Sequence, residues 1–210
     1  MRSLIENLAA AGRNREDIKV FAGLSFVVGS TEAEAKALEA EYDEYLDLEA
    51  IVAHIGGGLG VDLGGLDLDT PLGQIQTEGA QGVLEAAKAS VPGGNPTLKD
   101  LAHYRAKAQQ IVGTPESIVD ELERWQDAGI DGLNIMNHVL PGSYDNFIEG
   151  VIPELRRRGL AQSAYDQGSL RQKVFGRGDY LPGNHPAAKF RGAFSELSAA
   201  NTEAAVQLQS

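Results

Sequence analysis

The side chains able to do acid–base or ligand chemistry are few and widely spaced. The chain has four histidines, at 54, 103, 138 and 185, and no cysteine. Without a thiol, disulfide scaffolds, thiolate nucleophiles, zinc fingers and cysteine-bound iron–sulfur clusters are excluded. No two histidines stand at the close spacing that sets two ligands on one helix face, so no metal site is expected. Asn137-His138 is the more informative pair. It directly follows residues 130–136, a short apolar run that reads as a strand, and in parallel α/β proteins functional groups gather where strands end. Ser25 and Phe26 stand late in an earlier apolar run, residues 19–28. The candidate pocket-lining set is therefore Ser25, Phe26, Asn137 and His138. The same residues have an ordinary structural reading, with Asn134 and Asn137 satisfying backbone groups at the strand end and His138 in a turn. No catalytic residue is identifiable.

Other motifs carry less. The glycines at 56, 57, 58 and 60 invite a phosphate-loop reading, but they fit neither the G-x-G-x-x-G nor the G-x-x-x-x-G-K-[ST] register. They read as a flexible loop. The acidic stretch 32–49 reads as a solvated helix face, and Trp125 as a core anchor.

The elements that must position these residues follow from local pattern. Residues 19–28 are rich in branched and aromatic side chains on both faces, as in a strand buried on both sides. Thr31 with Glu34 forms a capping-box signature that predicts a helix to about Asp47. From 48 to 80 neither period is sustained, which predicts a long, mostly irregular excursion. Helices follow at about 81–89 and, capped by Thr97, to about Gln110, with a Pro-Gly-Gly-Asn-Pro break at 92–96 between them. Thr114-Pro115 opens a helix that Gly129 closes. Tyr144, Phe147, Ile148, Val151, Ile152 and Leu155 then repeat at helical spacing, and Arg156-Arg157-Arg158 before Gly159 reads as a favourable partner for the helix dipole. Beyond Gly159 the chain is polar and turn-rich.

A length of 210 residues suits one domain with a sizeable core. The net charge of -12 argues against nucleic acid or an anionic membrane surface as partner. It is unevenly placed: residues 1–150 hold 10 basic against 25 acidic side chains, and 151–210 hold 8 against 5. No run approaches a membrane span, and no secretory leader pattern opens the sequence, so the expected location is cytoplasmic.

Taken in order, several segments resemble one family. Ala11-Gly12-Arg13-Asn14-Arg15-Glu16-Asp17-Ile18-Lys19-Val20, then Gly23 and Val28-Gly29-Ser30-Thr31-Glu32-Ala33-Glu34-Ala35, resemble the late barrel region of bacterial-luciferase-like flavin monooxygenases. The branch indicated contains the larger components of nitrilotriacetate and dibenzothiophene-sulfone monooxygenases. Its Asp-Leu-Ser-x-x-x-Leu-Asp loop corresponds to Asp62 through Asp69, and its Gly-Thr-Pro-Glu helix start to Gly113 through Glu116. Its Asp-Gly-Phe-Asn strand appears as Asp131-Gly132-Leu133-Asn134, its Val-x-Pro-x-Leu-x-x-Arg-Gly helix as Val151 through Gly159, and a closing Leu-Arg as Leu170-Arg171.

The resemblance implies an α/β fold, the C-terminal part of a TIM-type (β/α)8 barrel. It comprises a partial barrel over 1–160, with the last two strands and a long insertion at 48–112 before the last of them, and a C-terminal tail over 161–210. It further implies a monooxygenase using reduced FMN and dioxygen on a small organic substrate. A separate NAD(P)H-dependent reductase would supply the flavin. The departures are equally specific. Family members are about twice as long, their Gly-Trp-Asn and Ala-Gly-Ser-Ser flavin contacts have no counterpart, and Leu133 replaces Phe. The expected partner is therefore a missing N-terminal half or a homo-oligomer, and the chain alone is not expected to hold FMN. Two alternatives stand beside this reading: a non-catalytic fragment or complementing subunit, and a deazaflavin-dependent reductase of the same superfamily.

Overall fold

The computed structural model describes residues 2–79, 81–91, 95–183 and 185–193. The Pro92-Gly93-Gly94 part of the expected break and the last fifteen residues lie outside them. The chain divides into two units, one of residues 1–13 and 18–163 and one of 14–17 and 164–210.

The larger unit is organised by its central strand. After α1 (Arg2–Ala10), β1 runs over Phe21–Val28. A turn through Gly29 leads into α2 (Glu32–Asp43), where the Thr31 hydroxyl accepts from the Glu34 amide at 3.1 Å and the Glu34 carboxylate accepts from the Ser30 amide at 2.7 Å. Gly29 is required there, because a Cβ would run into the Ala35 backbone.

The stretch expected to be irregular begins instead with a helix, α3 (Leu48–Leu59), capped by Asp47 and closed by Gly60 in the left-handed conformation at φ 69°. Its apolar residues Leu48, Ile51, Val52, Ile55 and Leu59 do keep helical spacing, and the three glycines after Ile55 hide the period. Burial outweighs their poor helix propensity. Then come α4 (Gln81–Ser90) and α5 (Leu98–Lys107), the latter opened by a Thr97–Asp100 capping box. Val52, Ile55, Leu59, Leu72, Leu98 and Leu101 belong to a hydrophobic core that these helices build for themselves.

The helix expected to reach Gln110 stops at Lys107, and Gln110–Gly113 is a third strand, β2. It is followed by α6 (Pro115–Asp127) and β3 (Gly132–Met136). The sheet order is β2-β1-β3, all parallel. Ser25 donates its amide to the Gln109 carbonyl at 2.8 Å on the β2 side, and Asp131 donates its amide to the carbonyl of Val20, just before β1, at 2.8 Å on the β3 side.

A last helical segment follows β3: α7 (Gly142–Asn146), a π-helical turn at Phe147–Val151, and α8 (Ile152–Arg157). It packs with α6 on one face of the sheet. Leu24, Phe26 and Val28 of β1 meet Ile118, Val119 and Leu122 of α6 and Phe147 and Val151 of the π turn. The Phe26 and Phe147 rings are tilted at 45° with centroids 4.7 Å apart.

The arginine triplet does more than offset a dipole. Arg158 meets Asp120 at 2.6 Å and Glu123 at 2.8 Å on α6, and Glu154 at 2.7 Å on its own helix. Arg157 grips the same Glu154 with two contacts of 2.6 Å. These hydrogen bonds from Arg157 and then Arg158 hold the Glu154 carboxyl down at about 2.

The smaller unit is polar. Its helix α9 (Leu170–Phe175) has a Ser169–Gln172 capping box and no buried residue. Side chains brace it locally: Arg171 donates to the Tyr180 carbonyl at 3.0 Å and lies 4.9 Å from the Phe175 ring centroid.

Two outcomes follow from this packing. Phe147→Ala should lower unfolding free energy in urea by about 3–5 kcal/mol, as for other buried phenylalanines, while exposed Ile148→Ala costs under about 0.5 kcal/mol. Glu154 has a folded pKa below its ordinary 4.5, so its contribution is whole above pH 4.5 and is lost as pH falls toward 2. Glu154→Gln should flatten the acid limb of the stability–pH curve in that window, measured by thermal melts.

Candidate functional site

One row of residues crosses the sheet at the level of Ser25, which is in register with Gln110 of β2 on one side and Met136 of β3 on the other. The chain leaves β3 just past this row, through Asn137 and His138. His138 reaches back across β1, placing its Nε2 3.2 Å from Nε2 of Gln110. Its ring also lies against Tyr42 of α2, centroids 5.8 Å apart.

The loop holding His138 is braced from below. Buried Ser143 accepts at Oγ from the amides of His138 at 3.2 Å and Val139 at 3.0 Å. Tyr144 donates toward the Ile135 carbonyl at 3.4 Å and Asn137 Oδ1 at 3.3 Å. On the α2 side, Lys107 binds Glu39 at 3.0 Å and also pairs with Asp43. Burial pulls the Lys107 ammonium down, but the bonds from Asp43 and Glu39 outweigh it and leave the pKa above its ordinary value. Burial likewise lowers the half-buried His138, with Asp43 opposing and Lys107 reinforcing that shift.

Of the four residues named from sequence, Ser25, Asn137 and His138 stand at this end of the sheet. Ser25 is buried, with its hydroxyl 3.4 Å from the Gln109 carbonyl, and Asn137 is exposed. Phe26 points the other way. Successive side chains of a strand alternate, so Phe26 is buried against Phe147 in the helix-side core and does not line a strand-end pocket. Sequence reasoning did not find Gln110, Tyr42, Ser143 or Tyr144. Gln110 carried no signal once its strand was read as the end of a helix, and Tyr42 lies on a face read as solvated.

On the sheet face opposite α6 to α8, the part along the first half of β1 is an open apolar strip with polar interruptions, whereas Ser25 and Val27 further along are buried. Phe21 is 51% exposed and Met136 39%, and Asn134 is exposed between them. The Phe21 and Met136 side chains both lie over glycines of the neighbouring strand, and Gly132 is required for this. The Phe21 ring covers Gly132, where a Cβ would collide with it, and the Met136 thioether lies over Gly23, 3.7 Å from where a Cβ would stand. A separate apolar cavity of about 260 Å³ lies on the helix side, beside β3, lined by Trp125, Leu133, Ile135, Phe147, Leu155 and Leu160. None of the strand-end residues reaches it.

The donor set does not make a phosphate cradle. The first turn of α6 is the natural anion position, and the chain fills it with its own carboxylate. Glu32 accepts from the Ser117 hydroxyl at 2.7 Å and the Thr114 amide at 3.3 Å, and these two bonds hold it below the usual carboxylate range. Among the described residues no group of three or more His, Asp and Glu side chains is placed to hold a metal ion.

A parallel sheet with α6 to α8 packed on one face and polar residues gathered at its strand ends fits one arc of a (β/α) barrel. No family model matches the chain. It is 38% identical to dimethyl-sulfide monooxygenase of Hyphomicrobium sulfonivorans over 88% of its own length and 40% of that protein. It is 35% identical to long-chain alkane monooxygenase of Geobacillus thermodenitrificans over 89% of the chain and 39% of the relative. The crystal structure of the Hyphomicrobium enzyme superposes with a TM-score of 0.74, covering 92% of this chain and 42% of that one. Riboflavin lyase, crystallised with modified FMN and riboflavin, superposes at 0.71 with 32% identity, over 90% and 42%. Over about nine-tenths of its length the chain is similar to luciferase-like flavin monooxygenases, as the sequence resemblance implies, and it spans about 40% of the length of the curated relatives it matches.

The buried ring gives a measurable linkage. An unfolded chain protonates His138 near the ordinary 6.5 and the folded chain at lower pH, so the ring's contribution to stability is whole above pH 6.5 and declines as pH falls below it. The difference in melting temperature between the parent and His138→Asn should therefore be larger at pH 8 than at pH 5.5. A difference independent of pH would place the imidazole in solvent.

Proposed function

We propose that this chain is one arc of a reduced-flavin monooxygenase that oxygenates a small organic substrate in the cytoplasm. Its FMN is reduced by a separate NAD(P)H-dependent reductase, and the rest of the barrel is supplied by an N-terminal half, covalently or as a complementing chain. The observation that carries this reading is the open sheet face. Phe21, Gly23, Asn134 and Met136 line the side of the sheet that faces the lumen in a barrel, from Phe21 at the strands' N-terminal ends to Met136 next to the braced strand-end residues Asn137 and His138, and the match to the dimethyl-sulfide enzyme extends over nearly the whole chain. In this reading the chain's own residues supply wall and orientation. Phe21 and Met136 exclude water from a ligand on the sheet, Asn134 offers a hydrogen-bonding group between them, and Ser143 and Tyr144 hold the strand-end loop in place.

The second reading, a fragment that binds no flavin by itself, is favoured by Glu32. Its carboxylate already occupies the α6 anion position, and like charge repels a phosphate there.

The test is an FMN titration followed by flavin fluorescence, on the chain alone and on the chain co-expressed with the N-terminal part of the dimethyl-sulfide enzyme. The expected result is no stoichiometric quenching by the chain alone, and stoichiometric quenching by a stable complex. Absence of a complex, or a complex that leaves FMN fluorescence unchanged, would overturn the monooxygenase reading in favour of the fragment.

A further inference from the structure

Gln110 and His138 are 28 residues apart and meet over β1 through their side chains alone. The contact is nitrogen to nitrogen, and this restricts its chemistry. A carboxamide nitrogen carries two protons and no lone pair for accepting, so Gln110 Nε2 can only donate. His138 Nε2 must then be the bare, accepting nitrogen, and the ring proton sits on Nδ1. Every other contact of the residue is consistent with a neutral imidazole held in one orientation. Its amide donates to Ser143 Oγ, and its ring lies at 33° to that of Tyr42.

The charged groups that face it come from two elements. Lys107 of α5 donates to both Glu39 and Asp43 of α2, and none of the three makes a hydrogen bond to the ring. Asp43 and Lys107 act on the imidazole with opposite sign. Nothing there supplies a strong partner for an imidazolium. No protein acceptor meets Nδ1 among the described residues.

We propose that Gln110 is a positioning residue that locks His138 as the Nδ1–H tautomer, so that the strand-end site presents one fixed hydrogen-bond donor to an oxygen or nitrogen acceptor of a small-molecule ligand. A donor built this way orients its ligand and takes no proton from it, because the only basic nitrogen is engaged by Gln110. The inference rests on the monooxygenase reading only for the nature of that ligand.

The test needs no flavin. Long-range proton–nitrogen spectra of the 15N-labelled full chain at pH 7.5 report which ring nitrogen carries the proton. His138 should show a protonated Nδ1 and a bare Nε2, opposite to the Nε2–H form that exposed His54 and His103 favour in water. Gln110→Glu presents an acceptor in place of the donor and should move the proton to Nε2. Gln110→Leu should return His138 to the solvent pattern, and circular dichroism confirms that each variant is folded. An Nε2–H parent, or Nδ1–H kept in both variants, would overturn the proposal. A failed FMN titration with the tautomer as expected would overturn the flavin reading alone.

Discussion

A parallel strand cannot complete its own hydrogen bonds, and β1 depends on partners that arrive from far along the chain. Gly132–Met136 covers one edge of its first half, and Gln110–Gly113 covers the opposite edge of its second half. Ser25 is where the two neighbours overlap. Everything placed near Ser25 therefore comes from three strands at once, which is why Gln110, Met136 and His138 converge there. Each face is treated differently. The even-numbered residues Leu24, Phe26 and Val28 are sealed by α6 and the π turn, while on the other side Ser25 and Val27 are buried and only Phe21 and Gly23, at the start of the strand, look out on an uncovered strip. An apolar side chain such as Phe21 left half in water costs free energy that a soluble monomer normally recovers by covering it. This uncovered strip and the open edges of β2 and β3 among the described residues have one structural cause: three strands form an arc, and an arc has an inside.

The helical insertion α3–α5 stands apart because it carries its own buried core. Its connection to the sheet region is electrostatic as well as covalent. Lys107, at the end of α5, is held by Glu39 and Asp43 of α2, one helical turn apart on the same face. Part of the acidic run that reads as a solvated face is thus committed to one internal cation. That commitment leaves His138 next to an acid and an ammonium that act on it with opposite sign, and burial is the largest influence on the imidazole.

Much of this was legible in the sequence, and the failures have particular causes. Both long strands, the Thr31, Thr97 and Thr114 caps and the final helix follow from patterns that operate within a few residues. Leu48–Leu59 was misread because Gly56, Gly57 and Gly58 weigh against a helix locally, while the decisive contribution is tertiary: a Cβ at Gly56 would meet the Val61 carbonyl at 2.6 Å, so that glycine is there for close approach. Gln110–Gly113 is four residues long, and only the vacant edge of β1 makes it a strand. The site was half legible for the same reason. Asn137 and His138 are marked by their place after a strand, and Ser25 by its place in one. Phe26 was assigned to the wrong side because a run apolar on both faces contains no period to say which face is which. Gln110 and Tyr42 become site residues only once the sheet is assembled.

The arrangement at Glu32 bears on how the arc divides labour with the rest of a barrel. An unpaired helix N-terminus at a strand end attracts anions, and phosphate-binding folds use it so. Here Glu32, from the first turn of α2, gives its carboxylate to Thr114 and Ser117 at the first turn of α6. The contact joins α2 to the start of α6 and gives the Thr114 amide and the Ser117 hydroxyl an acceptor from the chain itself. Stability of the arc and phosphate affinity at that point are therefore alternatives, and the sequence has taken the first. On the proposed reading, the phosphate of a flavin meets donors on other strands, and the residues of this arc supply the apolar wall proposed at Phe21 and Met136 and the strand-end donor proposed at His138.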